Sequence, residues 1–106
     1  MKVLEDKGKE LVFAGQTYKV RMSLSNMFEI ENKLNIDFSD LVISYKTLPV
    51  ILSVMINDYV STHPELNLEP VTAQTISDEL TINDVPDLIR LVQSTIAGDK
   101  PTEKNS

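Results

Sequence analysis

The chain has 106 residues, 42% of them hydrophobic and 25% charged, a size and balance that suit one compact domain with a single core and exclude a fibrous repeat or wholesale disorder. It has no cysteine, which removes disulfides, thiolate nucleophiles and sulfur-built zinc sites and makes a reducing cytoplasm the plain expectation. The net charge of −6 is uneven: residues 1–22 carry five Lys/Arg against three Asp/Glu, and residues 23–99 carry three against twelve, so the body lacks the clustered cations that a nucleic-acid backbone requires.

The amino terminus, MKVLEDKGKE, holds no apolar run of signal-peptide length, and residues 1–9 are expected to be flexible. A β-hairpin is expected over about 10–22, with Gly15-Gln16 as a two-residue type II′ turn, because Gly in first place tolerates positive φ. That turn pairs Phe13 with Tyr18 and Leu11 with Val20 on one face, and Val12 with Lys19 on the other. Such a hairpin is marginal alone and must lie on the helices that follow.

A first helix is expected over 24–34, with Ser23, Ser25 or Asn26 as its cap and Asn26 to Glu29 at capping-box spacing. Leu24, Met27, Phe28 and Leu34 form its apolar stripe with Ile30 beside it, and Asn35 suits a left-handed C-cap. Phe38, Leu41, Val42 and Tyr45 have the spacing of a second short helix, 37–45, which Asp37 would cap.

Thr47 and Pro49 open a third helix, 48–62, and from Leu48 to Val60 the polar residues Ser53, Asn57 and Asp58 occupy so narrow an arc that the helix must be nearly surrounded. The same stretch is too short to span a bilayer. His63-Pro64 to Glu69-Pro70 reads as a loop, since each proline disfavours helix in the residue before it. Thr72 caps a helix over 72–80, and a last helix over 84–97 carries the stripe Val85, Leu88, Ile89, Val92 and Ile96. Gly98 and Pro101 supply a stop, leaving 99–106 as a disordered tail. The fold class is therefore α+β, an N-terminal β-hairpin packed on a small bundle of four to five α-helices.

Catalytic chemistry finds little support. His63 is the lone histidine, and it precedes a proline in a loop, where solvation outweighs a role as base or ligand. Asp78/Glu79 and Asp84/Asp87 lack the alternating ligands and central Gly of a calcium loop, and Asp84 and Asp87, in the first turn of the last helix, each contribute about 0.3 to 1 kcal/mol there. Three glycines in all leave no nucleotide cradle. No catalytic, cofactor or metal residue is assigned. The apolar positions beyond the stripes are the more informative ones: Leu66, Leu68 and Leu91, with Ile51 and Met55 on the apolar circumference of the third helix, are the expected partner-binding residues.

The stretch AGQTYKVRMSLSNMFEIENKLNIDFSDL, a hairpin ending in a basic-apolar strand and leading into Leu24 to Glu31 in the pattern Leu-x-x-x-x-x-Glu, resembles the opening of tail assembly chaperones from tailed bacteriophages, the family shared with gene transfer agents. The resemblance spans roughly residues 10–97, and the small Gly- and Ala-rich residues frequent in that family are missing here. It implies a non-enzymatic protein of a phage or prophage that works in the host cytoplasm, binds the tape-measure protein, helps to bring in tail tube protein and is absent from the mature virion. In some phages a ribosomal frameshift extends such a chain. The groove between the helices at 48–62 and 84–97 is the expected client site, and homo-oligomers would draw on the same apolar surface. Two other classes fit the same sequence: a structural virion component of connector or tail-terminator type, and a small phage inhibitor of a host factor.

Overall fold

A computed structural model describes residues 8–97; the expectations placed on 1–7, on the stop at Gly98 and Pro101, and on the tail lie outside them. The fold is α+β: strands β1 (Lys9–Phe13) and β2 (Gln16–Val20) form an antiparallel hairpin, followed by helices α1 (Leu24–Leu34), α2 (Leu48–Thr62), α3 (Ala73–Glu79) and α4 (Val85–Ala97). Short 3-10 turns stand at Phe38–Asp40, Pro64–Leu66 and Ile82–Asp84.

The hairpin closes one step earlier than expected. Phe13 pairs with Gln16, Val12 with Thr17 and Leu11 with Tyr18, so the turn residues are Ala14 and Gly15, at φ 51° and 78°. Positive φ at both central positions is the signature of a type I′ turn, whose twist matches that of the strands, and it replaces the II′ turn at Gly15-Gln16. Relative to the expected pairing the register moves by two residues, which leaves every side chain on its face. Leu11, Phe13, Tyr18 and Val20 are all buried, as the alternation requires.

α2 is the axis of the domain. It touches β2, α1, α3 and α4, and from Leu48 through Ile56 its buried positions include Ile51, Leu52, Met55 and Ile56, each worth about 1.5–3 kcal/mol of burial. Pro49 sits in its first turn, where a missing N–H costs nothing. Ser53 is buried on the same helix and gives its hydroxyl proton to the Val50 carbonyl at 2.8 Å. Asn57 holds the returning chain: its Nδ2 donates to the Val71 carbonyl at 2.7 Å, and its Oδ1 accepts from the Val71 N–H at 2.8 Å. Arg21 at the end of the hairpin reaches Asp58 at 3.2 Å.

α1 rotates away from the expected stripe. Its fully buried positions are Asn26 and Ile30, while Leu24 and Phe28 face outward. Ser23 is the cap, accepting from the Asn26 N–H at 3.1 Å, so the expected Asn26–Glu29 box is absent. Asn26 instead gives its side-chain N–H to the Arg21 carbonyl at 2.9 Å, which lets a polar residue occupy the inner face.

The helix expected over 37–45 does not form. Asp37 caps only the 3-10 turn Phe38–Asp40, after which Leu41 is extended. The Thr47 hydroxyl then donates to the Val42 carbonyl at 2.8 Å and accepts from the Ser44 N–H at 3.0 Å, while the Ser44 hydroxyl accepts from the Lys46 N–H at 3.3 Å. Side chains that satisfy the backbone locally compete with helix, and a segment this short has no length to offset nucleation.

Tyr18 packs its edge on Tyr59, with ring centroids 6.0 Å apart, and burial pushes its phenol above the ordinary value near 10. The folded state therefore keeps a proton that the unfolded state gives up, so the contribution is whole below pH ~10 and falls away as pH rises through the raised folded value. Alkaline melts should show a falling midpoint that Tyr18→Phe reduces. At the turn, Ala14→Asn should raise unfolding free energy by about 1 kcal/mol by replacing a residue that disfavours positive φ, and Gly15→Ala should lower it by about 1–2 kcal/mol. Urea unfolding with an unchanged slope checks both.

Candidate partner-binding site

Burial divides the five expected partner residues. Ile51 and Met55 are each 0% exposed and belong to the core. The groove expected between α2 and α4 is closed, because Thr95 lays its hydroxyl 3.9 Å from the Met55 sulfur and Val92 is sealed beside it. Leu68 and Leu91 are half-buried against the same core, and Leu66 stands more open at the end of its 3-10 turn. None of the five lines the apolar recess described next.

That recess opens where the start of α2 meets the end of α3 and the 3-10 turn before α4. Tyr45, Leu48, Pro49, Leu80, Ile82 and Val85 make its apolar wall, around a volume of about 260 Å³. Pro49 and Leu48 belong to the first turn of α2, so the recess is anchored on the central, most buried helix of the domain. Tyr45 is 61% exposed and Ile82 is 74% exposed, standing as an apolar pair at a concave surface. Lys46 holds its ammonium 5.9 Å from the Tyr45 ring centroid, within cation–π range.

Local hydrogen bonds hold Ile82 out. Asp84 Oδ2 accepts from the Thr81 N–H at 2.9 Å and from the Thr81 hydroxyl at 3.1 Å, tying the Ile82–Asp84 turn at both ends. The volume lies just below the ~300–1,000 Å³ usual for small-ligand sites, and the walls suit one or two large apolar side chains better than a cofactor. Sequence periodicity missed it because Tyr45 reads as part of a buried stripe and Ile82 falls between helices. An isoleucine in a turn between Thr81 and Asn83 was the available signal.

A second groove, of about 330 Å³, runs between α1 and α2, and its character is polar. Its ionic and amide groups are already engaged: Lys33 with Glu29 at 3.6 Å, Asp58 with Arg21, and Asn57 with Val71. His63 stacks on Tyr59 with centroids 4.1 Å apart, and its Nδ1 lies 2.9 Å from the Tyr59 carbonyl, so the ring serves packing. Among the described residues, no group of three or more His, Cys, Asp or Glu is placed to hold a metal ion, and no helix is long and apolar enough to cross a membrane. No family model, curated protein or solved structure matches the chain.

The division between core and surface is measurable. Met55→Ala should cost about 2–5 kcal/mol of stability, whereas Ile82→Ser should stay within about 0.5 kcal/mol of the parent. Chemical denaturation of the two variants side by side tests the assignment.

Proposed function

We propose that this protein is a non-catalytic tail assembly chaperone of a phage or prophage, acting in the cytoplasm of the bacterial host by holding apolar helical segments of the tape-measure protein until tube subunits arrive. The observation that carries the reading is the recess at Tyr45 and Ile82, where exposed apolar side chains border a concavity built on the start of α2. Large apolar groups kept in water at a concave site lower the free energy of a complex that covers them.

An acidic body is the complementary requirement. A chaperone for an aggregation-prone client must keep the complex dissolved, and a net charge of −6 on 106 residues does so through like-charge repulsion between complexes. The resemblance of the hairpin and first helix to tail assembly chaperones suggests the client, and the recess offers a mode of holding it. Leu24 and Phe28, adjacent on the outer face of α1, offer a second apolar contact on the same molecule.

Co-expression with the tape-measure polypeptide encoded beside it should move that polypeptide into the soluble fraction and give one shared peak on size exclusion. Ile82→Asp combined with Tyr45→Ser should abolish the effect while leaving the fold's helical signal intact. A client that stays insoluble with the parent chain, or recovery of this protein from purified virions, refutes the proposal.

A further inference from the structure

The recess at Tyr45 and Ile82 shares Leu80 with a neighbouring one of about 260 Å³, where Phe13 and Leu88 form apolar wall and Glu79, Asp84 and Asp87 supply carboxylates. The two recesses flank the Ile82–Asp84 turn: Thr81 and Ile82 face the first, and Asp84 the second. Charge on the stretch that forms most of their lining is mainly acidic. Residues 69–97 contain five Asp/Glu and one Lys/Arg, Arg90, and that arginine is bonded to Asp87. Lys46 is set over the Tyr45 ring, and Glu79 makes no ion pair among the described residues.

Resting on the reading above, we infer that the segment this site takes is a basic amphipathic helix, one that places an apolar side chain in the Tyr45–Ile82 recess and a Lys or Arg in the carboxylate-bearing one. A Lys or Arg has an aliphatic stem for Phe13 and Leu88 and a cationic head for Glu79 and its neighbours, a match that neither a purely apolar nor an acidic side chain offers. The groups facing the partner are side chains on both recesses, which suits a ligand whose own backbone hydrogen bonds are already made, as a helix's are. Glu79 is the carboxylate of the three with no ion pair or side-chain hydrogen bond among the described residues, so an incoming cation gives it the partner that Arg90 gives Asp87 and the Thr81 bonds give Asp84. Charge selects the segment and the apolar recess holds it.

Two fluorescein-labelled helical peptides with the same leucine stripe, one flanked by lysines and one by glutamates, titrated into the full chain and followed by anisotropy, test this. The lysine peptide should bind about tenfold more tightly at low salt, and the advantage should vanish by roughly 0.5 M salt. Glu79→Gln with Asp87→Asn, both exposed and outside the Thr81–Asp84 bonds, should bring the two affinities together, and Ile82→Ser should weaken both peptides. Equal binding of the two peptides, failure of the lysine peptide to bind at about 1 mM, or an advantage that survives the carboxylate variant overturns the inference. In the last three cases a tape-measure client that the parent chain still solubilises leaves the chaperone reading standing, while a client it never solubilises removes that reading separately.

Discussion

A helix that is apolar around most of its circumference can exist in water only if other elements cover it, and that constraint organises this domain. α2 buries an unbroken run from Ile51 to Ile56, including Ser53, whose hydroxyl is satisfied within the helix. The hairpin, α1, α3 and α4 are its covers. The polar residues that interrupt α2 act as fastenings at its edge. Asn57 fixes the Val71 segment by paired hydrogen bonds, and Asp58 receives Arg21 from the hairpin, so two chain regions distant in sequence are tied to one turn of helix. Removing one partner of the Asn57–Val71 pair leaves partly buried amide groups unsatisfied, a cost of about 1–3 kcal/mol against a total stability of about 5–15 kcal/mol.

The covers do not use up all of the apolar side chains, and the remainder is where binding chemistry becomes available. At the start of α2 the chain arrives from an irregular segment held by Ser44 and Thr47, and leaves Tyr45 outside. At the start of α4 the Thr81–Asp84 bonds do the same for Ile82. Both residues are held by backbone geometry that is satisfied locally, so their exposure costs no lost hydrogen bonds. A recess whose walls are already placed by satisfied backbone geometry needs little reordering to receive an apolar group.

Electrostatics then separates solubility from recognition. Acidic residues spread over the body repel other copies, whereas Glu79, Asp84 and Asp87 are gathered at one apolar hollow, where a low-dielectric wall makes a partner's charge count for more. The inferred preference for a cationic segment would thus rest on three of the carboxylates that also contribute to the anionic balance of the whole chain.

Local and periodic features were legible in the amino-acid sequence because each depends on neighbours within one turn or one strand. The alternation in the hairpin, Asn35 as a left-handed cap, Pro49 at a helix start, Thr72 as a cap and the encirclement of the third helix all belong to this class. Where alternation left two registers with identical faces, only the pairing in space chose Ala14-Gly15 as the turn, since a shift of two residues preserves the pleat. The inward face of α1 was decided by Asn26, whose burial depends on a carbonyl at Arg21 that no hydrophobicity pattern records. The recess and its carboxylate neighbour, finally, join residues from the hairpin, α2, α3 and α4; their juxtaposition exists only once the covers have closed on the central helix, because burial and exposure are set by what packs against a side chain and not by the side chain alone.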